Sequence, residues 1–242
     1  LNAALCVQGV SVAWGQAEPV LSDLSFSLAP GELMGVVGPS GCGKSTLCQA
    51  LAGIIPRQLP GQVNGEIRLL GRNLTELTLP QITTDLGIVF QDPQTQLFLP
   101  RVMNELAFGP ENLTVPREEI RARIGDIAQQ TGCQDWLEAN PNQLSGGQQQ
   151  IVALAAVLAL QPRVLLLDEV TAQLDPHSCK RIQDIISDLR RQGVAVLMVE
   201  HNLEQLTKAD RIISLRGGRM EVAVTGQGSL SPAMLARVYG DD

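Results

Sequence analysis

Gly38-Pro39-Ser40-Gly41-Cys42-Gly43-Lys44-Ser45-Thr46 constrains this chain more than any other stretch, because it fits G-x-x-x-x-G-K-[ST] and separates two contrasting patterns. Before it, Leu33–Val37 is an unbroken apolar run, as expected of a strand buried on both faces; after it, a helix is expected from about Lys44. Such a strand–loop–helix turns backbone N–H groups inward around phosphate oxygens, and the helix N-terminus points at the same anion. The glycines allow this sterically. Lys44 adds charge for the β- and γ-phosphates, and Ser45 offers a hydroxyl to Mg2+.

Val164-Leu165-Leu166-Leu167-Asp168-Glu169 supplies the other half of the chemistry. A buried strand delivers carboxylates at its C-terminal end, where ligands of open α/β sheets bind. Asp168 suits Mg2+, and Glu169 is placed to act as general base on an attacking water. Together the two motifs imply a nucleoside triphosphatase. Leu144-Ser145-Gly146-Gly147-Gln148, ending 20 residues before Asp168, opens another helix with serine and two glycines. This is a second anion cradle in a chain with one phosphate loop, and a nucleotide shared between two chains explains it best. An ordinary serine N-cap is the simpler alternative.

Further buried runs at 194–199 and 86–90, alternating with helical patterns, indicate a mainly parallel sheet covered on both faces. Residues 7–14 and 24–28 alternate as half-buried antiparallel strands do, and the runs 211–215 and 220–224 flank Gly217-Gly218 as a hairpin. From Gln91 to Gln150 glutamine, proline and charge replace the strands, with Ile120, Ile124 and Ile127 on one helix face. The expected fold is therefore α/β: a P-loop core of mainly parallel sheet, an antiparallel β subdomain and an inserted helical subdomain. Residues 1–242 form one domain, with the core at 1–90 and 151–242 and the helical insertion at 91–150. A last short helix pattern covers 231–239.

Composition narrows the setting. Eighteen Lys and Arg against 25 Asp and Glu give a net charge of −7, which argues against nucleic acid as a partner. With four Phe, two Trp and one Tyr, the core must be aliphatic. The longest apolar run, 151–160, falls short of the roughly 18–20 residues of a spanning helix. Five cysteines show no paired spacing and imply neither a disulfide framework nor a zinc site. Cys42, at a helix N-terminus, is expected to have a lowered pKa.

These motifs, in this order, resemble the ATP-binding-cassette (ABC) ATPases over essentially the whole chain. The resemblance implies ATP and Mg2+, and a head-to-tail dimer with an identical or paralogous subunit. There Ser145, Gly146, Gly147 and Gln148 of one chain would meet the γ-phosphate held by residues 38–46 of the other. Trp14 is similar to the aromatic that stacks on adenine, a strand aromatic in the core being the alternative. Gln91 resembles the glutamine that reaches Mg2+ and the attacking water, and His201 the switch histidine that senses γ-phosphate. Asp175, in Leu174-Asp175-Pro176, resembles the residue coupling the two sites and also suits an N-cap. His177 reads as surface.

The segment Gln91-Asp92-Pro93-Gln94-Thr95-Gln96-Leu97-Phe98, followed by Ala107-Phe108-Gly109-Pro110, is similar to the ATPases of energy-coupling-factor (ECF) transporters, the cobalt and vitamin importers. That resemblance implies a transmembrane scaffold contacted between Asp92 and Phe108, a separate substrate-binding membrane protein, and a place on the cytoplasmic face of the membrane. Leu97, Phe98, Leu99, Val102, Leu106 and Phe108 are the apolar candidates for that contact; Asp92 and Glu105 would meet a basic residue. Packing within the insertion is the alternative. An ordinary importer ATPase and a soluble non-transport ABC ATPase remain as rival functions. The chain departs from the family after its signature, where Ile151 stands in place of the usual arginine. It also begins at Leu1, which allows a half cut from a tandem chain.

Overall fold

A computed structural model describes residues 3–172 and 174–225. The chain opens with β1 (Leu5–Ala13), β2 (Leu21–Leu28) and β3 (Leu33–Val37), then α1 (Lys44–Leu51), α2 (Ile54–Arg57), β4 (Gln62–Leu69), β5 (Arg72–Asn73), α3 (Leu79–Asp85) and β6 (Leu86–Val89). Helices α4 (Val102–Asn112), α5 (Arg117–Thr131) and α6 (Gly146–Leu158) follow. Then come β7 (Val164–Asp168), α7 (Pro176–Arg191), β8 (Ala195–Val199), β9 (Arg211–Arg216) and β10 (Arg219–Thr225). The expected helix at 231–239 lies outside the described residues.

Two sheets result. The six-stranded one runs β10-β9-β3-β8-β7-β6, parallel except for the β9–β10 hairpin; the four-stranded one, β2-β1-β4-β5, is antiparallel. The period of two in each central strand sorts its apolar run onto opposite faces. Leu165 and Leu167 of β7 join Val196 and Met198 of β8 in one core with α4, α5, α6 and α7. Val164 and Leu166 join Leu197 and Val199 in another, with α1 and the antiparallel sheet. Both faces are thus closed, as the unbroken apolar runs require.

Strand β4 escaped the sequence reading. Its first residues, Gln62 to Gly65, are exposed or half-buried, so they carry no apolar alternation. Between β6 and β7 the described residues form helices and turns, with Ile120, Ile124 and Ile127 buried on α5 as their spacing indicated. Helix α6 runs through residue 150 to Leu158, and its Val152, Leu154 and Ala155 pack in the same core as Leu165 and Leu167. Helix α6 thus connects the serine-glycine segment at its N-terminus to the sheet.

Candidate active site

The phosphate loop is closely held by its surroundings. A Cβ on Gly38 would lie 2.2 Å from the carbonyl oxygen of Leu215, and Gly43 adopts φ 104° at the start of α1. Neither position accepts another residue without shifting the backbone. Lys44 is 5% exposed; its Nζ donates to the carbonyls of Gly38 at 2.9 Å and Pro39 at 3.1 Å. The same nitrogen lies 3.6 Å from Glu169 Oε1. The ammonium is thus fixed over the loop it serves.

Strand β7 brings Asp168 and Glu169 to this end of the sheet. The Ser45 hydroxyl lies near enough to the Asp168 carboxylate to oppose its protonation, and Asp168 Oδ1 is buried with no protein partner. Burial raises the Asp168 pKa, with the Ser45 hydroxyl opposing it and the charge of Glu169 adding to it. A hydroxyl beside a carboxylate with an unsatisfied buried oxygen fits a hard divalent cation such as Mg2+. Glu169 follows the strand at φ 53°, an uncommon backbone for a side-chain-bearing residue, and its N–H donates to the Val199 carbonyl at 3.0 Å. Its Oε1 is 2.7 Å from His201 Nε2, so one carboxylate oxygen faces both Lys44 and the histidine.

Two adjoining cavities share Ser40, Glu169 and His201. One of about 300 Å³ is lined by the phosphate loop and Thr46, and the other, of about 660 Å³, by Gln91, Thr171, Glu200 and Gln205. Gln91, exposed just beyond β6, thus faces the same space as the Glu169–His201 pair. Trp14 lies just beyond β1, half-buried against the core.

The signature stands apart from this cleft. Among the described residues, the lining of the two cavities includes none of 145–148. Ser145 and Gly146 are exposed; Ser145 caps α6 by accepting from the Gln148 N–H, while its own N–H donates to Gln148 Oε1 at 2.8 Å. Gly147 is buried, and a Cβ there would lie 2.2 Å from Ser178 Oγ. Asp175 caps α7, accepting from the N–H groups of His177 and Ser178, both at 3.0 Å, and from Ser178 Oγ at 2.6 Å. The Ser178 hydroxyl bond, first, then the Ser178 N–H hold its pKa below the ordinary value. His177 is exposed.

One expectation is corrected. The Cys42 pKa is raised: burial outweighs Lys44 and the backbone N–H groups of the helix start. Glu105 lines the groove beside Phe98 and Phe108, 4% exposed, with its carboxylate accepting from the Leu99 N–H at 2.5 Å. The apolar candidates also divide. Val102, Leu106 and Leu97 are core residues, whereas Phe98 and Phe108 are 64% and 42% exposed and meet edge-to-face at 5.0 Å. The two phenylalanines rim a groove of about 390 Å³ with Leu79, Ala156 and Leu160. Asp92, exposed, accepts from the Gln94 N–H.

Two glutamines missed in the sequence position the Gln91 segment. Gln96 binds one edge of the departing strand through both ends of its amide, accepting from Phe90 N–H at 2.8 Å and donating to the Ile88 carbonyl at 3.1 Å. Gln150, 1% exposed, donates to the Phe90 carbonyl at 3.1 Å. A polar residue at a core position of α6, four residues before Leu154, was the available signal for Gln150.

A phosphate loop, a strand ending in paired carboxylates, a histidine on the Glu169 carboxylate and a serine-capped helix opening with two glycines are the features of a phosphate-loop ATPase of the ATP-binding-cassette class. Residues 21–172 match the family described as ABC transporter. Over 219 residues the chain is 37% identical to the energy-coupling factor transporter ATP-binding protein EcfA1 of Mycoplasma pneumoniae, spanning 90% of this chain and 78% of that one. Over 202 residues it is 42% identical to EcfA1 of Bacillus licheniformis, spanning 83% and 70% respectively. Its fold is similar to that of cbiO1 from Clostridium perfringens, part of the ABC transporter complex cbiONQ. The TM-score is 0.85 at 27% identity, covering 98% of this chain and 94% of that one. The chain belongs to the ABC transporter family, as an ATP-hydrolysing subunit of the energy-coupling-factor kind.

Proposed function

We propose that this subunit drives import of a vitamin or transition-metal ion, working as a head-to-tail dimer on the cytoplasmic face of a membrane. The observation that carries the dimer is the division of the site. Lys44, Glu169 and His201 gather in one cleft, while Ser145 and Gly146 stand exposed at the N-terminus of a different helix, outside it. A second chain, identical or paralogous, brings its residues 145–148 to ATP seated on the loop 38–46, with Trp14 against the adenine. Because ATP then touches both chains, it binds the closed state more tightly than the open one and drives closure.

Hydrolysis follows from the cluster. Glu169 takes the proton of the attacking water as the bond from the γ-phosphorus to the bridging oxygen breaks, leaving ADP and phosphate. His201, 2.7 Å from Glu169, orients that carboxylate and senses the γ-phosphate; Lys44 steadies the charge on the phosphates. Ser45 and Asp168, with Gln91 from the adjoining cavity, are the residues that would hold Mg2+, which would neutralise charge on the phosphates. Asp175 fixes α7 against Gly147 and so links the signature to the turn after Glu169.

The groove beside Phe98 and Phe108 receives a helix of the transmembrane scaffold, in the manner of helix-in-groove recognition. A separate membrane protein recognises the cargo. The test is affinity purification of the tagged chain from detergent-solubilised membranes, with identification of the co-purifying chains. A polytopic scaffold with a small substrate-binding membrane protein is expected. Recovery of soluble chains or nucleic acid alone would remove transport and leave the ATPase.

A further inference from the structure

Glu200 sits between β8 and His201, and the chemistry above makes no use of it. It is nonetheless 1% exposed and lines the cavity that holds Gln91, Glu169 and His201. An acidic side chain this buried is costly unless it is hydrogen-bonded. Its carboxylate accepts from the Thr171 hydroxyl at 2.8 Å and from the Thr171 N–H at 3.3 Å. Its own N–H donates to the Val36 carbonyl at 3.1 Å, on the strand that ends in the phosphate loop.

Thr171 belongs to the turn that carries Glu169 onward to Asp175. Among its described residues that turn has two backbone bonds of its own: Ala172 N–H to the Glu169 carbonyl at 3.2 Å, and Leu174 N–H to that of Thr171 at 3.3 Å. From α7 the Cys179 thiol adds weak contacts, at 3.7 Å, to the carbonyls of Thr171 and Leu174. Glu169 also keeps an unfavourable φ of 53°, which persists only where neighbouring structure over-determines it. Among the described residues, the paired bonds from Thr171 to Glu200, at 2.8 and 3.3 Å, are the side-chain restraint that ties the turn to the strand end beside His201.

We infer that Glu200 is a positioning residue for hydrolysis: through Thr171 it registers the turn after Glu169 against the switch loop and so holds Glu169 in line with His201. It joins the phosphate-loop strand, the catalytic turn and the switch at one buried side chain.

The inference rests on the ATPase reading, and steady-state hydrolysis by the full chain tests it. Glu200→Ala is expected to lower kcat by roughly 10- to 100-fold, as small misplacements of a catalytic group do, with KM for ATP little changed because the phosphate loop is untouched. Glu200→Gln keeps an acceptor oxygen for Thr171 and is expected to restore most of the rate. Thr171→Val, which is isosteric, tests the same link if Glu200→Ala does not fold. The double variant is expected to be no slower than Glu200→Ala, since residues acting as one unit are not additive. An Ala variant hydrolysing like the wild type, a change in KM alone, or a Gln variant as slow as the Ala variant would overturn the inference. In each case active wild type leaves the ATPase reading standing.

Discussion

The nucleotide cleft and the Phe98–Phe108 groove are built by different rules, and a buried glutamate in each shows the difference. In the cleft, Glu169 faces Lys44 and His201, and every partner is a side chain whose chemistry a motif had specified. Beside the groove, Glu105 spends its carboxylate on the backbone N–H of Leu99 and so shapes a loop. The first arrangement suits chemistry on a bound substrate. The second holds a surface in shape. Mutations in the two regions should therefore separate hydrolysis from coupling.

The largest separation is expected from Glu169→Gln, which keeps the side-chain shape and removes the base. Turnover measured by phosphate release should fall on the order of 10²- to 10⁴-fold, and an ATP-bound dimer should accumulate on size-exclusion chromatography. A variant hydrolysing normally would remove Glu169 as general base.

Stability against pH tests the cleft in another way. Burial, foremost, and the nearby charges of Glu169 and Asp168 push the Glu200 carboxyl from 4.5 to about 7, with the Thr171 bonds opposing them. The folded chain thus holds this proton more tightly than the unfolded chain does. The resulting stabilisation is complete below about pH 4.5 and is lost as the pH rises through about 7, at most about 3 kcal/mol. Glu200→Gln should flatten that part of the pH–stability curve, measured by urea unfolding. An unchanged slope would show that the slope arises elsewhere.

At the groove, Phe98→Ala is expected to leave hydrolysis by the isolated subunit within about twofold while weakening scaffold binding by about 2 kcal/mol, roughly 30-fold. Loss of hydrolysis to the extent seen with Glu169→Gln would erase the distinction between the regions.

This division also explains what the sequence revealed. Lys44, Asp168 and Glu169 were legible because phosphate and metal chemistry demands those residue types at those places, and the apolar runs of β3, β7 and β8 placed them at one sheet end. Val102 and Phe98 were not separable in advance, since a core position and a docking position are both apolar; only burial distinguishes them. Gln96, Gln150 and Glu200 act on backbone or on a distant neighbour, so a place in a quoted segment or at a core position of α6 does not disclose what each one holds. The exposed start of β4 hid a strand for the opposite reason: its pairing with β1 is made by backbone and leaves no mark on side-chain type.

Cys42 gives the smallest effect and tests how burial competes with a helix terminus. The N–H groups at the start of α1 and the Lys44 ammonium both favour a thiolate, yet the side chain is 8% exposed and burial outweighs them. Near neutral pH the thiolate fraction should therefore lie below that of a free cysteine, and alkylation by a small reagent should be slower, because the thiolate is the nucleophile. Cys6, half-buried, provides the internal comparison. Mass spectrometry of peptides after timed labelling should show Cys6 modified first, with Cys42 slowed further by ATP if its phosphates seat on the same loop as proposed. Faster labelling of Cys42 than of Cys6 would mean that the helix terminus and Lys44 win over burial, and the thiol would then be an activated one.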